Sequence, residues 1–344
     1  MSSSSLVLHP DHTMLLRRAD PDRDNAALCT LARRCPQGRR LSFYHERTDY
    51  RERCRLHADA EVFVVERQGI VAAAAAVARK QIWLGGTWRP VAYFFDGMVD
   101  PAHRGQEVGR RLLQALRQAS PQAQLFYGYI LEDNLASRRL CEREGLIAHP
   151  RRLLQYVVLP RLAQREPPPG FHWQEPVDEA TARRLDAALQ DRYDFLDTTA
   201  GQEGVFCLDW RGTRSWAVLR RHGPKVFVQV PWYGRVLGRC LPWVPRRGRP
   251  TLAWSLHHIG AEGPDPQAAL DRLIASIAWV AARQPIHALL LPLFEDDPRA
   301  AQLRRWTLTR WGLAPVATRL YIGGNLSSKV LATVRPLLMS GRDG

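Results

Sequence analysis

The sequence predicts a mixed α/β (α+β) chain in which two mixed-sheet domains follow one another in tandem. Three observations carry that prediction. Strand-like apolar runs alternate with amphipathic helical segments along most of the 344 residues. A Pro-rich stretch, Arg165-Glu166-Pro167-Pro168-Pro169-Gly170, divides the pattern near its middle and has the composition of a linker. The order of elements after that stretch echoes the order before it. These place a first domain at 1–163, a linker at 164–170 and a second domain at 171–344, each long enough for its own core.

Taken in order, Leu15 to Arg18 reads as a first strand, and Asp22 to Arg33 as a helix announced by Asp20-Pro21. Ser42 to Leu56, rich in charge and aromatics, reads as a second helix. Glu61 to Glu66 is a short buried strand. Ile70 to Ala78, Gln81 to Leu84 and Trp88 to Val99 read as strands around the Gly85-Gly86 turn. Gln106 to Ala119 is the clearest helix, because Val108, Leu112, Ala115, Leu116 and Ala119 share one face. Gln124 to Leu131 is a strand. Asn134 is a natural N-cap for Leu135 to Arg143, which Gly145 stops, and Leu153 to Leu159 closes the first domain.

In the second half, Leu252 to Ile259 stands for the strand before the turn, and Gln267 to Ala282 for the long helix. Ile286 to Phe294 with Glu295-Asp296-Asp297 echoes Leu125 to Leu131 with Glu132-Asp133-Asn134. Trp311-Gly312-Leu313 echoes Glu144-Gly145-Leu146, and Thr318 to Ile322 is the closing strand. The alternative is two unrelated α/β halves.

Composition narrows the classes. With 45% hydrophobic and 24% charged residues the chain reads as a soluble globular protein. No apolar run reaches the roughly 18–20 residues that cross a bilayer, and the N-terminus shows no signal-peptide pattern, so a cytoplasmic location is expected. The six cysteines form no C-x-x-C pair and match no zinc spacing, so reduced thiols and no metal are expected. The formal charge is +15, nearly all from arginines scattered through both halves. That scatter does not make a nucleic-acid footprint, although it would steer anions.

The chemistry concentrates in Val99-Asp100-Pro101-Ala102-His103-Arg104-Gly105-Gln106-Glu107-Val108-Gly109-Arg110, where a strand ends, a basic glycine-bearing turn follows and a helix starts. The amides of Gln106 to Arg110 open the helix without intrahelical partners. With Arg104, Arg110 and Arg111 around them they suit a diphosphate. About 30 residues later comes Asn134-Leu135-Ala136-Ser137-Arg138-Arg139-Leu140-Cys141-Glu142-Arg143-Glu144-Gly145-Leu146.

The two blocks together resemble the acyl-CoA core of the GNAT superfamily of N-acyltransferases, over residues 13–160. The first block resembles that family's Q/R-x-x-G-x-G/A pattern through Arg104 and Gly109, with Glu107 where its first glycine belongs. The second resembles N-x-x-A/S-x-x-L-Y-x-x-x-G-F/L through Asn134, Ser137, Leu140 and Gly145, with Cys141 in place of the tyrosine. The stretch from Tyr93 to Arg104 is similar to the plant Hookless-like branch and its bacterial relatives.

This resemblance implies two GNAT-like domains and acetyl-CoA as acyl donor. Met98, Val99, Arg104, Gly105, Gln106, Glu107, Val108, Gly109, Arg110, Asn134 and Ser137 would hold it. Gly97, Met98 and Val99 would pair with the pantetheine arm. The acceptor would be a small-molecule or peptide amine. Asp96 would assist deprotonation of the attacking ammonium, or else be a buried, hydrogen-bonded strand carboxylate. Cys141 would protonate the leaving thiolate, or else be a small buried thiol. Tyr129, with Tyr127, would orient a carbonyl or pack the core. The second half has Glu262-Gly263-Pro264-Asp265-Pro266 at the turn, where prolines remove donors, so no CoA is expected there. It holds nine of the eleven tryptophans, Trp216, Trp232, Trp243 and Trp254 among them, which suit either a core or an aromatic cleft. His257 and His258, adjacent on a strand, are not expected to chelate one metal. A non-catalytic acyl-CoA-binding or interaction module is the alternative reading.

Overall fold

The computed structural model describes residues 14–39, 41–84, 86–190, 195–197, 204–230, 235–236, 246–303, 306–308 and 315–324. The first half runs β1 (Met14–Arg18), α1 (Pro21–Arg34), β2 (Ser42–His45), two 3-10 turns (Tyr50–Glu52, Cys54–Leu56), β3 (Ala60–Arg67), β4 (Ile70–Leu84) and β5 (Thr87–Val99). A 3-10 turn (Pro101–His103), α2 (Val108–Gln118), β6 (Leu125–Leu131), α3 (Leu135–Arg143), β7 (Ile147–Val158) and α4 (Pro160–Ala163) follow. The second half contains β8 (Phe171–Gln174), α5 (Glu179–Gln190), β9 (Phe195–Asp197), β10 (Gly204–Trp210), β11 (Thr213–Gln229) and β12 (Pro250–Glu262). It continues with α6 (Pro266–Ala282), β13 (Ala288–Phe294), α7 (Pro298–Leu303) and β14 (Val316–Gly324).

Local chemistry accounts for most of these elements. Asp20 caps α1 by accepting from the amides of Asp22 and Arg23, Pro21 sits in the first turn, and Arg33 and Arg34 close the last. Along α2, Val108, Leu112, Leu113, Ala115 and Leu116 are buried. Asn134 caps α3 through the Ser137 amide, and Gly145 takes a positive φ of 76° after it. The expected helix over 42–56 is not formed. Ser42 to His45 instead pair with Lys225 to Gln229 of β11, and Asp49 turns the chain by accepting from the Arg51 amide. Backbone partners from a remote strand override a helical pattern that only one face of side chains supports.

The strands form one mixed sheet in the order β1-β3-β4-β5-β6-β14-β7-β13-β12-β11-β10-β8, with β2 beside β11 and β9 beside β4. Both closing strands depart from expectation. β7 does not close the first half on itself but lies between β14 and β13. β14, expected to close the second half, runs antiparallel between β6 and β7. The sheet therefore does not divide at the linker.

Several features recur in both halves. The β3–β4 and β10–β11 hairpins turn on Gln68-Gly69 (φ 51° and 77°) and Arg211-Gly212 (φ 51° and 75°). β5 and β12 each carry one positive-φ residue, Asp96 (51°) and His258 (48°). Each lies at a bulge. The register passes from Ala74↔Met98 to Ala76↔Phe95 in one half, and from Trp216↔Gly260 to Val218↔His257 in the other. The echo at Trp311-Gly312-Leu313 lies outside the described residues, as do Trp232 and Trp243. Trp216 and Trp254 are core residues.

One side of the sheet packs α1 over Val62, Val64, Ala74, Ala76, Tyr93, Phe95 and Tyr127, and reaches Leu153, Phe294, Leu320 and Ile322 from the exchanged strands. The other side packs α2 on Phe63, Val65, Ala73, Ala75 and Ala92, and α6 on Trp254, Leu256, Leu289 and Leu291. A fragment of residues 1–163 lacks β14 and leaves β6 and β7 with unpaired edges. It is expected to aggregate or to lose its cooperative transition in urea. A monomeric 1–163 fragment with a sharp transition by circular dichroism would show that the first half closes unaided.

Candidate functional site

The site begins where two parallel strands part. β5 and β6 pair at only three positions, Val91↔Leu125, Ala92↔Phe126 and Tyr93↔Tyr127. Beyond them β6 follows β14, which it pairs along its whole length, so β5 from Phe94 to Val99 has no strand on that side among the described residues. Gly128 permits the approach at the parting point, since a Cβ there would lie 3.0 Å from the Phe94 carbonyl oxygen. Gly97, just past the bulge, is exposed with open space beside its Cα. The result is a V-shaped opening with a free stretch of strand backbone on one wall.

That strand runs directly into the turn. Asp100, buried, caps it by accepting from the Ala102 amide and is tied to the end of α1 by Arg34 at 2.9 Å. The first intrahelical bond of α2 is donated by Arg111 to the Glu107 carbonyl. The amides of Glu107, Val108, Gly109 and Arg110 thus have no partner among the described residues and mark the positive end of the helix. Glu107 sits at the N-cap in the left-handed region (φ 60°) and makes no side-chain cap; its exposed carboxylate pairs with Arg110 at 2.9 Å. The carboxylate therefore leaves the amides free. Gly105 also has positive φ, 77°. Gly109 is small for packing: a Cβ would stand 3.2 Å from Leu140 Cδ2 and 3.5 Å from Val99 Cγ2, between β5 and α3.

Several expected donor-site residues are engaged elsewhere. Arg104 donates its Nε to the Val99 carbonyl, which also receives the Cys35 thiol. Gln106 donates to the Ala102 carbonyl and accepts from Arg67. Arg110 also donates to Glu144 at 3.0 Å. The Met98 side chain is buried in the core, and Asn134 and Ser137 are joined by the helix cap.

Of the three expected catalytic residues, two sit in surroundings that oppose the role. Asp96 is buried and bonded by Arg47 (2.6 Å) and Arg53 (2.9 Å), while Tyr50 donates to its carbonyl at 3.2 Å. Burial alone would raise its pKa, but the two guanidiniums hold the carboxyl well below the usual range. A carboxylate so stabilised is a poor acceptor for an ammonium proton; Asp96 orders the bulge instead. Cys141 packs among Leu113, Leu140, Leu146, Tyr321 and Phe94, and burial pushes its thiol up to about 12. That position suits packing, not proton donation to a thiolate or nucleophilic attack. Tyr129 remains beside the opening, edge-on to Tyr127 at 6.2 Å and opposite Leu320 of β14.

Arg47, Arg53 and Tyr50 were not singled out from the sequence. They lie in the segment read as a helix, and no spacing rule links them to Asp96.

The second half forms the same parting, with β12 and β13 paired at Ala253↔Ala288, Trp254↔Leu289 and Ser255↔Leu290. There Arg299, held by Asp297, donates to the Ile259 carbonyl, so the wall is occupied. Asp265 caps α6 through the Ala268 amide, which places a carboxylate where an anion would sit. No cluster of metal-ligating side chains occurs among the described residues. The described cysteines, Cys29, Cys35, Cys54, Cys141 and Cys207, are free. No described helix is long and apolar enough to cross a membrane.

Comparison with known proteins agrees with this geometry. Residues 25–146 match the model of the acetyltransferase (GNAT) family. Saccharomyces cerevisiae N-myristoyltransferase with bound myristoyl-CoA superposes with a TM-score of 0.61 at 9% identity, covering 95% of this chain and 86% of that one. A Pyrococcus horikoshii protein assigned as an acetyltransferase superposes with a TM-score of 0.54 at 10% identity, covering 93% and 92%. No curated protein sequence matches. The fold is shared with these structures, and the match to the GNAT family model lies in residues 25–146.

Asp96→Asn should lower stability by about 3–5 kcal/mol, because it leaves two buried guanidiniums without their counter-charge. Urea unfolding checks this. Since its folded pKa is lowered, the Asp96 contribution is fully present above about pH 4 and is lost as pH falls through the folded value. An unfolding free energy unchanged by the substitution at neutral pH would refute the role.

Proposed function

We propose that this protein moves an acetyl group from acetyl-CoA directly to a primary amine. One observation carries the reading: an unpaired strand edge leads into uncapped helix amides at a single V-shaped opening. An extended pantetheine arm can pair with Gly97 and Met98 as an added strand, which needs backbone and few side chains. Its diphosphate then meets the amides of Glu107 to Arg110. Arg104 and Arg110 add positive charge at the rim.

The acceptor enters beside Tyr129, at the margin of the sheet face whose core is Tyr93, Phe95 and Tyr127. Its ammonium loses a proton, and the amine nitrogen attacks the thioester carbonyl. A C–N bond forms as the C–S bond breaks, the thiolate leaves and takes a proton, and the second nitrogen proton is released. Backbone N–H groups past the bulge are the donors for the transient oxyanion. Asp96 in its present pairing does not supply the base, so the proton leaves through water, with Tyr129 orienting the reacting groups.

The two recurring hairpins and bulges support an origin by duplication, with domains 1–163 and 171–344 about the 164–170 linker. The second copy shapes the acceptor cleft without binding CoA. A location in the cytoplasm fits an acetyl-CoA-dependent reaction.

A second reading, an acyl-CoA-binding module without turnover, is favoured by the same surroundings of Asp96 and Cys141. Thiol release from acetyl-CoA across a panel of amines separates the two, since binding without release supports the module. No acetyl-CoA binding by calorimetry at millimolar ligand would remove both.

Glu107→Gly should tighten acetyl-CoA binding several-fold by removing a negative charge beside the diphosphate. It should also stabilise the fold by about 0.5–1 kcal/mol, because glycine accepts positive φ. Gly109→Leu should weaken binding by displacing α3 from Val99. Calorimetry and thermal unfolding of both variants check these outcomes.

A further inference from the structure

We propose that an aromatic stop at the closed end of the V-shaped opening holds the donor's acyl group to a few carbons. Tyr93 and Tyr127 form the stop on one sheet face, and Phe94 and Phe126 form it on the other. This inference rests on the acyl-transfer reading above and names the residues that set the length of the group transferred.

The direction of the donor follows from the two features that receive it. Its diphosphate meets the amides of 107–110, beyond the end of β5, and its pantetheine arm lies along Gly97 and Met98. The thioester end of the arm therefore points back along β5, toward the place where β6 joins it. The group carried on the sulfur enters the narrowing space between residues 94–96 of β5 and 128–130 of β6.

That space ends in four rings. At the last parallel pair, Tyr93↔Tyr127, the rings lie 5.1 Å apart and both side chains are fully buried. They pack on the α1 side of the sheet. On the α2 side, Phe94 stacks on Phe126 at 5.7 Å with the planes 30° apart. Side-chain alternation along the strands places one pair on each face, with the paired backbones of β5 and β6 between them. Accessible surface ends within a single step of that alternation. Tyr129 and Ile130, nearer the mouth, are half-buried, whereas Tyr127, on the same face as Tyr129, is 0% exposed.

The stop is held in place by its own contacts. Tyr93 stacks on Phe95 at 5.2 Å with the planes 11° apart. The His57 ring lies 5.8 Å from Tyr93 and 5.2 Å from Phe95. The Lys80 ammonium sits 5.0 Å from the Tyr93 ring and 5.4 Å from the Tyr127 ring. The Tyr93 hydroxyl accepts from Arg53 at 3.0 Å, and the same guanidinium bonds Asp96 and lies 5.1 Å over Phe95. A swing of the Tyr93 ring therefore breaks part of the clamp that orders the bulge. An interior packed in this way takes added methylenes only by displacing rings. An acetyl group adds one methyl beyond the thioester carbonyl, whereas a longer chain must press on the four rings or pull the arm off the strand.

Calorimetry of the full chain with CoA, acetyl-CoA and octanoyl-CoA tests this. Octanoyl-CoA should bind at least about tenfold more weakly than acetyl-CoA, as overpacking of a close-packed site requires. Tyr127→Val removes a ring from the apex and should bring the two affinities to within about threefold. Tyr127→Phe keeps the ring and should keep the wild-type ratio. Phe126→Ala opens the other face from a half-buried position and serves where Tyr127→Val does not fold. With any amine that turns over, kcat/KM followed by thiol release should fall with chain length in the wild type and recover in the opened variants. Octanoyl-CoA bound by wild-type protein as tightly as acetyl-CoA overturns the inference. So does a ratio unmoved in both Tyr127→Val and Phe126→Ala when these variants unfold cooperatively and still bind acetyl-CoA. Failure of CoA and acetyl-CoA alike to bind would remove the acyl-transfer reading, and this inference with it. Firm binding of CoA with both acyl lengths accepted equally removes this inference alone.

Discussion

The backbone hydrogen bonds of β14 hold this molecule in one piece. A strand from the end of the second half fills the gap between β6 and β7 of the first, and β7 in turn borders β13 of the second. Every buried amide and carbonyl must find a partner. On the edges of β6 and β7 that meet β14, those partners come from residues more than 150 positions away. The exchange makes one sheet of two, so the face bearing Tyr93, Phe95 and Tyr127 runs without a break to Leu153 of β7 and Phe294 of β13.

Within this frame the site depends on a second constraint, the parting of β5 from β6. Three parallel pairs hold the strands together, and the bulge at Asp96 turns β5 away. The bulge puts a non-glycine residue at positive φ, a strain that the Arg47 and Arg53 bonds and the Tyr50 hydroxyl counter. The carboxylate at this position thus works as an anchor. The corresponding parting in the second half has the same register but is filled by Arg299 and closed to anions by Asp265. The same backbone geometry leaves an open strand edge in one half and is filled by packing in the other, and the difference lies in a few side chains at the mouth.

The elements that local chemistry specifies were legible from the residues. The apolar face of α2, the caps at Asp20 and Asn134 and the turn at Gln68-Gly69 all depend on neighbours within a few positions. The turn before α2 was legible for the same reason, since amides at a helix start need only the helix and the strand before it. Three things were not. Ser42 to Leu56 carries enough apolar and charged residues for a helix, but β11 offers Ser42 to His45 a ladder. Asp96 looked like a base because nothing in the sequence ties it to Arg47 and Arg53. Cys141 stood at a motif position, yet the apolar packing around it is supplied partly by Tyr321 from the far end of the chain.

By itself the sequence determined the kinds of element, most of their limits and the turn before α2 with its free amides, because capping, periodicity and turn chemistry act over a few residues. Only the tertiary structure decided which strand closes which half and which carboxylate is ionised and held. Those outcomes rest on pairings between distant segments, whose free energy comes from burial and backbone hydrogen bonds that no local stretch can supply.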